Sequence, residues 1–317
     1  MKRIAILDDY QNAALGAADW NSLPECQITV FDSHIANPGQ VAEMLQPFDI
    51  VVAMRERTPF PASLLGNLAN LKLLVTAGMR NLAIDMEAAG RAGVVVCGTE
   101  MLAYPAFEHA WGLILALTKQ IAKEDHVMKS GGWQQGSGVG LSGKTLGLAG
   151  LGKLGAQVAR VGQAFNMNVI AWSENLTNDR AAEVGVQRVS KDDLFRSADV
   201  ISIHLVLSDR TRGLVGDAEL ALMKPSAYLI NTSRGPIVDE AALLEVLQSN
   251  AIAGAGLDVF DVEPLPKDHK LRKLSNVVLT GHTGFVVREL HELVYGQAVE
   301  DIAAWASGAP VRVLNEG

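Results

Sequence analysis

The stretch TLGLAGLGKLG (145–155) decides how this chain is read. Its first half is an apolar run with strand character, and a helix-compatible run begins at Lys153. Between them Gly150, Gly152 and Gly155 make a Gly-x-Gly-x-x-Gly pattern. Each glycine meets a separate need. Gly150 permits a tight turn, Gly152 lets backbone come close to a pyrophosphate, and Gly155 allows close helix–strand packing. A helix that begins here presents unpaired N–H groups and roughly half a positive charge to phosphates. Glycine turns of this kind also serve packing alone. The strand before and the helix after are what turn the pattern into a dinucleotide site.

Outward from this loop the chain alternates. Strand-like runs follow at 145–149, 169–172, 200–204, 227–231, 253–258 and 277–280, with helical spacing between them. Upstream lies a second series, with strand-like runs at 4–7, 28–31, 50–53, 73–76 and 94–97 and helical segments at 39–45 and 61–68. Such alternation predicts parallel sheets with helices on both faces. Residues 105–128 read as one long helical stretch. It ends in SGGWQQGSGVG (130–140), whose five glycines in eleven residues make it the most linker-like segment. A final helix is expected over about 287–307.

A chain of 317 residues exceeds the roughly 250–300 at which a single core stops growing, so two domains are expected. The formal charge is −8 with no basic block, which argues against nucleic acid or an anionic membrane as partner. The opening MKRIAILDD has an apolar part that ends at Asp8 and Asp9, and it reads as a first strand rather than a signal peptide. AWGLILAL (110–117) is far short of the about 20 residues a membrane span needs. Cys26 and Cys97 have neither metal nor redox spacing, so a cytoplasmic setting is expected. Without His-x-x-x-His or Cys-x-x-Cys pairs, no metal site is expected.

In a dinucleotide fold the strand after the glycine loop ends in an acidic residue that binds the ribose hydroxyls. Here VIAW ends in Ser173, followed by Glu174. Serine removes the charge that would repel a 2′-phosphate, which points to NADP. Glu174 restores a nearby negative charge, which points to NAD. The balance leans towards NAD, with NADP possible.

Three stretches follow later strands: YLINTSRGPIVDE (228–240) with Arg234, GAGLDVFDVEP (254–264) with Asp258 and Glu263, and VVLTGHTGF (277–285) with His282. Ligands of doubly wound sheets bind beyond the carboxyl ends of strands. Hydride transfer to a keto acid needs a fixed cation for the carboxylate, which arginine's planar fork supplies. It needs a proton donor for the carbonyl oxygen, which histidine supplies near neutral pH. A carboxylate beside an imidazole orients it and favours its charged form, a task Glu263 can do for His282. Singly, Arg234 also reads as a loop bridge, Glu263 as a solvated turn residue and His282 as a satisfied loop histidine. Their joint position behind a glycine loop carries the chemical reading. His204 ends a strand with no evident partner. His109 and His126 read as packing or surface residues of the long helix, and His34, His269 and His291 as structural.

With these stretches quoted, the sequence resembles the D-isomer-specific 2-hydroxyacid dehydrogenases. LSGKTLGLAGLGKLG is similar to that family's cofactor loop, LMKPSAYLINTSRGPIVDEAAL to its arginine motif, GAGLDVFDVEPLP to its glutamate motif and LTGHTG to its histidine motif. The resemblance implies Arg234 as the substrate arginine, Glu263 as the histidine's partner and His282 as acid/base. It implies that Lys153 and Leu154 turn backbone to the pyrophosphate. Val206, Thr211, Thr232, Ser233 and Asp258 would lie around the nicotinamide and its ribose. Backbone N–H groups of TAG (76–78), at Ala77 and Gly78, would hold the substrate carboxylate. The implied fold is α/β with two doubly wound parallel-sheet domains and a cleft between them. A Rossmann cofactor domain (102–284) would be inserted into a flavodoxin-like substrate domain (1–101 and 285–317). The resemblance also implies a homodimer, the usual assembly of such enzymes, through the cofactor domain, and a small 2-keto or 2-hydroxy acid as substrate.

The chain departs from the family's pattern at four places. Gly281 stands where a proline usually precedes the histidine, a proline near Val206 is absent, 97–110 lacks Asn-x-Pro-Gly, and Ser173 replaces the ribose acid. In MRERTP (54–59), Arg55 or Arg57 is a candidate for a second anionic group on the substrate, against the reading of two solvated loop arginines. Corepressors with this fold, which bind NAD(H) and a protein partner without turnover, are the alternative to an enzyme. Formate-type dehydrogenases need no proton donor, so the Glu263–His282 pair argues against that third reading.

Overall fold

The computed structural model describes residues 1–315, and the chain divides into two compact units. One is formed by Met1–Leu102 and the chain from Val286 onward, the other by Ala103–Phe285.

The first unit is a five-stranded parallel sheet of β1 (Lys2–Ile6), β2 (Cys26–Val30), β3 (Ile50–Ala53), β4 (Leu73–Thr76) and β5 (Val95–Gly98). Their order is β2-β1-β3-β4-β5, the flavodoxin-like arrangement. β3 and β4 are buried at every residue, as strands covered on both faces must be. The helix Arg288–Ala306 returns to pack on β4. The chain beyond it covers the edge of β5. Gly98 N–H donates to the Arg312 carbonyl (3.0 Å), Leu314 N–H to the Val96 carbonyl (2.8 Å), and the Asn315 side chain bonds Val94 and Val96. This closes an otherwise open strand edge.

The second unit is a seven-stranded parallel sheet of β6 (Thr145–Ala149), β7 (Asn168–Trp172), β8 (Gln187–Arg188), β9 (Val200–Ile203), β10 (Tyr228–Asn231), β11 (Gly254–Leu257) and β12 (Val277–Leu279). The order β12-β11-β10-β9-β6-β7-β8 is the dinucleotide-fold order with one added strand. Alternate residues feed opposite faces: Ile201 and Leu229 enter one core, Val200 and Ile230 the other. The second of these cores is covered by the helix Pro105–Thr118 through Trp111, Ile114 and Leu117. Because the chain departs from β6 to β7 on one side and to β9 on the other, the switch point lies between β6 and β9.

Two expectations change here. The stretch 105–128 is two helices, Pro105–Thr118 and Ile121–Lys129, broken where Gln120 takes a left-handed conformation (φ 53°). The glycine-rich loop 130–140 is not an inter-unit linker. It folds back on the break, with Val139 N–H on the Thr118 carbonyl (2.6 Å) and Gln120 Nε2 on the Ser137 carbonyl (3.1 Å). The units join instead at 102/103 and 285/286. Short elements that the sequence left unassigned, the helices Asn178–Glu183 and Lys191–Ser197 and strand β8, fill 178–197.

Candidate active site

The glycine loop follows β6 at the switch point. Gly150 has φ 103°, and a Cβ there would collide with the His204 carbonyl. A Cβ at Gly155 would collide with the Gly150 carbonyl. Packing therefore demands two of the three glycines. Gly152 differs, since nothing lies within 4 Å of where its Cβ would be. It is the N-cap of the helix Lys153–Ala164 and offers no side-chain cap, so the first N–H groups of that helix are open to an anion. Lys153 is exposed beside it and Leu154 half-buried. These residues fit a pyrophosphate.

The neighbouring loops line the same ends of the strands. Ser173, half-buried, and Glu174, exposed, follow β7. After β9, the Thr211 hydroxyl donates to the Val206 carbonyl (2.7 Å) and accepts from Ser208 N–H (2.8 Å), which closes the loop and leaves the Val206 side chain exposed. After β10, Thr232 is half-buried and the Ser233 hydroxyl donates to the Ile203 carbonyl (2.7 Å). His204 gains a partner in the Ser202 hydroxyl (Nε2···Oγ 2.8 Å), and desolvation pulls its pKa down to about 4. The His204 carbonyl packs against Gly150 and its Cβ lies near Gly155.

Arg234 opens a loop whose shape is fixed from both sides. The Asn231 side chain donates to its carbonyl (2.9 Å), and its own Nη1 donates to the Ser233 carbonyl (2.7 Å). Next to it Gly235 packs on the backbone of Phe260 so closely that a Cβ would collide there. The arginine loop thus rests on the loop that holds Glu263. One Glu263 oxygen accepts from Phe260 N–H (2.9 Å). The other lies 2.6 Å from His282 Nδ1. With Nδ1 occupied, Nε2 is the ring nitrogen left for exchange with a ligand. The Phe285 ring stands edge-on to the imidazole at 5.6 Å.

Asp258 follows β11 and is only 1 % exposed. Its carboxylate accepts from the Thr280 hydroxyl (2.6 Å), Thr283 N–H (2.8 Å) and Gly284 N–H (2.8 Å), and its carbonyl accepts from His282 N–H (2.7 Å). Burial pushes its pKa up, but hydrogen bonds from His109 and Thr280 outweigh this and hold it below the ordinary value. These bonds tie the carboxylate to the histidine loop. The sequence reading missed His109. It is not a plain packing residue: its Nε2 lies 2.8 Å from Thr280 Oγ1 and 3.3 Å from Asp258 Oδ1. No sequence signal marks a partner 171 positions away.

In the first unit the other candidates gather at the ends of β3 and β4. The Arg55 guanidinium lies over Gly78, within 2.5 Å of a Cβ placed there, and its Nη2 is 3.2 Å from Glu56 Oε1. Ala77 departs from expectation. Its N–H donates to the Ala53 carbonyl (3.1 Å), because the β3–β4 pairing runs one residue past the strand, so it is not offered to a ligand. Gly78 N–H faces Thr99 Oγ1 at 3.3 Å. Arg57 clasps the end of β1, with Nη1 on the Asp8 carbonyl (2.7 Å) and its guanidinium 4.4 Å from the Tyr10 ring centroid. Among the described residues no group of three or more His, Cys, Asp or Glu is placed to hold a metal. Among the described residues no helix is long and apolar enough to cross a membrane.

Comparison with known proteins gives this constellation its family. Residues 111–284 match the model described as D-isomer specific 2-hydroxyacid dehydrogenase, NAD binding domain. The chain is 40 % identical over 243 residues to a glyoxylate reductase of Aeropyrum pernix, covering 73 % of this chain and 72 % of that protein. It is 38 % identical over 266 residues to a D-3-phosphoglycerate dehydrogenase of Archaeoglobus fulgidus, covering 82 % of this chain and 50 % of that protein. The chain thus spans about half the length of the curated phosphoglycerate dehydrogenases it matches. The crystal structure of a phosphoglycerate oxidoreductase from Vibrio cholerae superposes with a TM-score of 0.93 at 37 % identity, covering 98 % of this chain and 100 % of that one. The chain belongs to the D-isomer specific 2-hydroxyacid dehydrogenase family.

Proposed function

We propose that this protein is an NAD(P)-dependent reductase of small 2-keto acids, the reverse of D-2-hydroxy acid oxidation. The observation that carries the reading is the 2.6 Å pair of His282 Nδ1 and Glu263 Oε2, on the same sheet end as Arg234 and the glycine loop. A bound nicotinamide supplies the hydride. Arg234 binds the substrate carboxylate and carbonyl. His282 gives its Nε2 proton to the carbonyl oxygen as that oxygen gains negative charge, and Glu263 stabilises and orients the imidazole. Acid catalysis of this kind contributes about 10²–10⁴-fold.

The cofactor's pyrophosphate is assigned to Gly150, Gly152, Lys153, Leu154 and Gly155, and its nicotinamide half to Val206, Thr211, Thr232 and Ser233. Asp258 is assigned to this neighbourhood through the histidine loop it holds. Ser173 and Glu174 set the choice between NAD and NADP, with the exposed Glu174 carboxylate supporting NAD. In the first unit, Arg55 over Gly78 supports a substrate with a second anionic group. The two unpaired thiols, Cys26 and Cys97, support a cytoplasmic setting. A homodimer through the cofactor domain is supported by exposed Ile121, Met128 and Trp133 on one helix and its loop.

The test is loss of nicotinamide absorbance with NADH and NADPH in parallel. The substrates are glyoxylate, hydroxypyruvate, pyruvate, phenylpyruvate and 2-ketoglutarate. Turnover of at least one, faster with NADH, is the expected result. Tight NADH binding without turnover of any would overturn the enzyme reading.

A further inference from the structure

We propose that His109 is a positioning residue for His282, acting through Thr280 and Asp258; the proposal rests on His282 being the acid/base. A chain of bonds within one unit carries this role. The Thr280 hydroxyl has one proton, and the 2.6 Å contact spends it on Asp258 Oδ1. His109 Nε2, 2.8 Å from the same hydroxyl oxygen, must then be the donor. His109 therefore carries its proton on Nε2, where it also faces Asp258 Oδ1 at 3.3 Å. The carboxylate so anchored grips the histidine loop on both sides of His282: Thr280 before it, Thr283 N–H and Gly284 N–H after it.

The grip has something to hold. His282 has φ 53°, a left-handed conformation that non-glycine residues adopt only when their surroundings impose it. Its N–H is tied to the Asp258 carbonyl at 2.7 Å. Without the His109 donor, a buried carboxylate loses a partner it needs, and the loop loses the anchor that imposes this backbone. The imidazole then drifts relative to Glu263 and to the ligand. The helix Pro105–Thr118 is thereby more than a cover for the sheet, since its first turns carry the group that sets the acid/base.

The test compares His109→Leu, His109→Gln and His282→Ala in the full chain, on whichever keto acid is turned over fastest. Glutamine places an N–H donor close to the position of Nε2, and leucine places none. We expect His109→Leu to lower kcat by about 10–100-fold, the size of effect that a misplacement of about 1 Å produces. The KM for NADH should stay within about threefold, because the His109 contacts run to Thr280 and Asp258 and through them to the histidine loop. His109→Gln should recover most of kcat. If His109→Leu does not fold, Thr280→Val removes the bridging oxygen at nearly constant volume and should lower kcat in the same way. Wild-type kcat in His109→Leu or Thr280→Val beside a dead His282→Ala would overturn the positioning role alone. Glutamine as poor as leucine would overturn the donor role. A fully active His282→Ala would remove the acid/base reading beneath both.

Discussion

His282 stands between Gly281 and Thr283, with Gly284 beyond, and the structure separates what these neighbours do. A Cβ at Gly284 would press on Asp258 Oδ2 at 2.9 Å, so that glycine is needed for the grip on the loop. A Cβ at Gly281 would meet nothing, and the glycine there is not required by packing. At this scale the sequence is informative wherever a residue's type and its place after a strand coincide. Arg234, Glu263 and His282 stand out as candidates for that reason. His109 is not, because its partners come from the far end of the chain. Ala77 misleads for a related reason, since only the observed register shows that its N–H belongs to Ala53. His204 gives a prediction of its own. Desolvation holds its folded pKa near 4, below its ordinary 6.5. The unfolded chain therefore binds the proton first, and the stability linked to neutral His204 is complete above pH 6.5 and is lost as pH falls through about 4. Thermal melts from pH 7 to pH 4 should show a steeper decline for the wild type than for His204→Gln. Parallel curves would show that His204 is not the group responsible.

The elements were the most legible part of the chain. Parallel strands buried on both faces are short apolar runs, and the glycine loop announces where a strand gives way to a helix. The break at Gln120 was not legible, because glutamine carries no signal for a left-handed residue and the apolar spacing continues across it. The short helices between β7 and β9 were missed because two turns contain too few apolar positions to show a period. The glycine loop makes a contrast that separates packing from binding. Gly155→Ala must displace the Gly150 carbonyl, so it should lower the melting temperature as well as cofactor affinity. Gly152→Ala has open space for its methyl group. It should melt like the wild type yet bind NADH at least about tenfold more weakly, as a backbone approach to the pyrophosphate is blocked. Calorimetry of both variants with NADH checks this. Unchanged NADH affinity in Gly152→Ala would move the pyrophosphate away from this loop.

At the scale of the whole chain, length and alternation were enough for two parallel-sheet units. The assignment of the C-terminal helix to the first unit was not. It came from the family resemblance, since a helix at 288–306 has no residue that says which sheet it covers. Assembly belongs to this scale too. Trp133 is 70 % exposed on a loop pinned to the helix break, an unusual setting for so large an apolar surface. If it lies in a homodimer contact, Trp133→Glu should shift the sedimentation coefficient towards that of a monomer while circular dichroism stays unchanged. An unaltered coefficient would place the contact elsewhere.

His282, held by Glu263 at 2.6 Å, is the proposed proton donor for reduction of a keto acid. Its most direct test is the rate of NADH oxidation by wild type and His282→Ala, side by side, on the substrate turned over fastest. The variant should fold, bind NADH as the wild type does, and turn over about 10²–10⁴-fold more slowly. A variant that keeps full activity would contradict it.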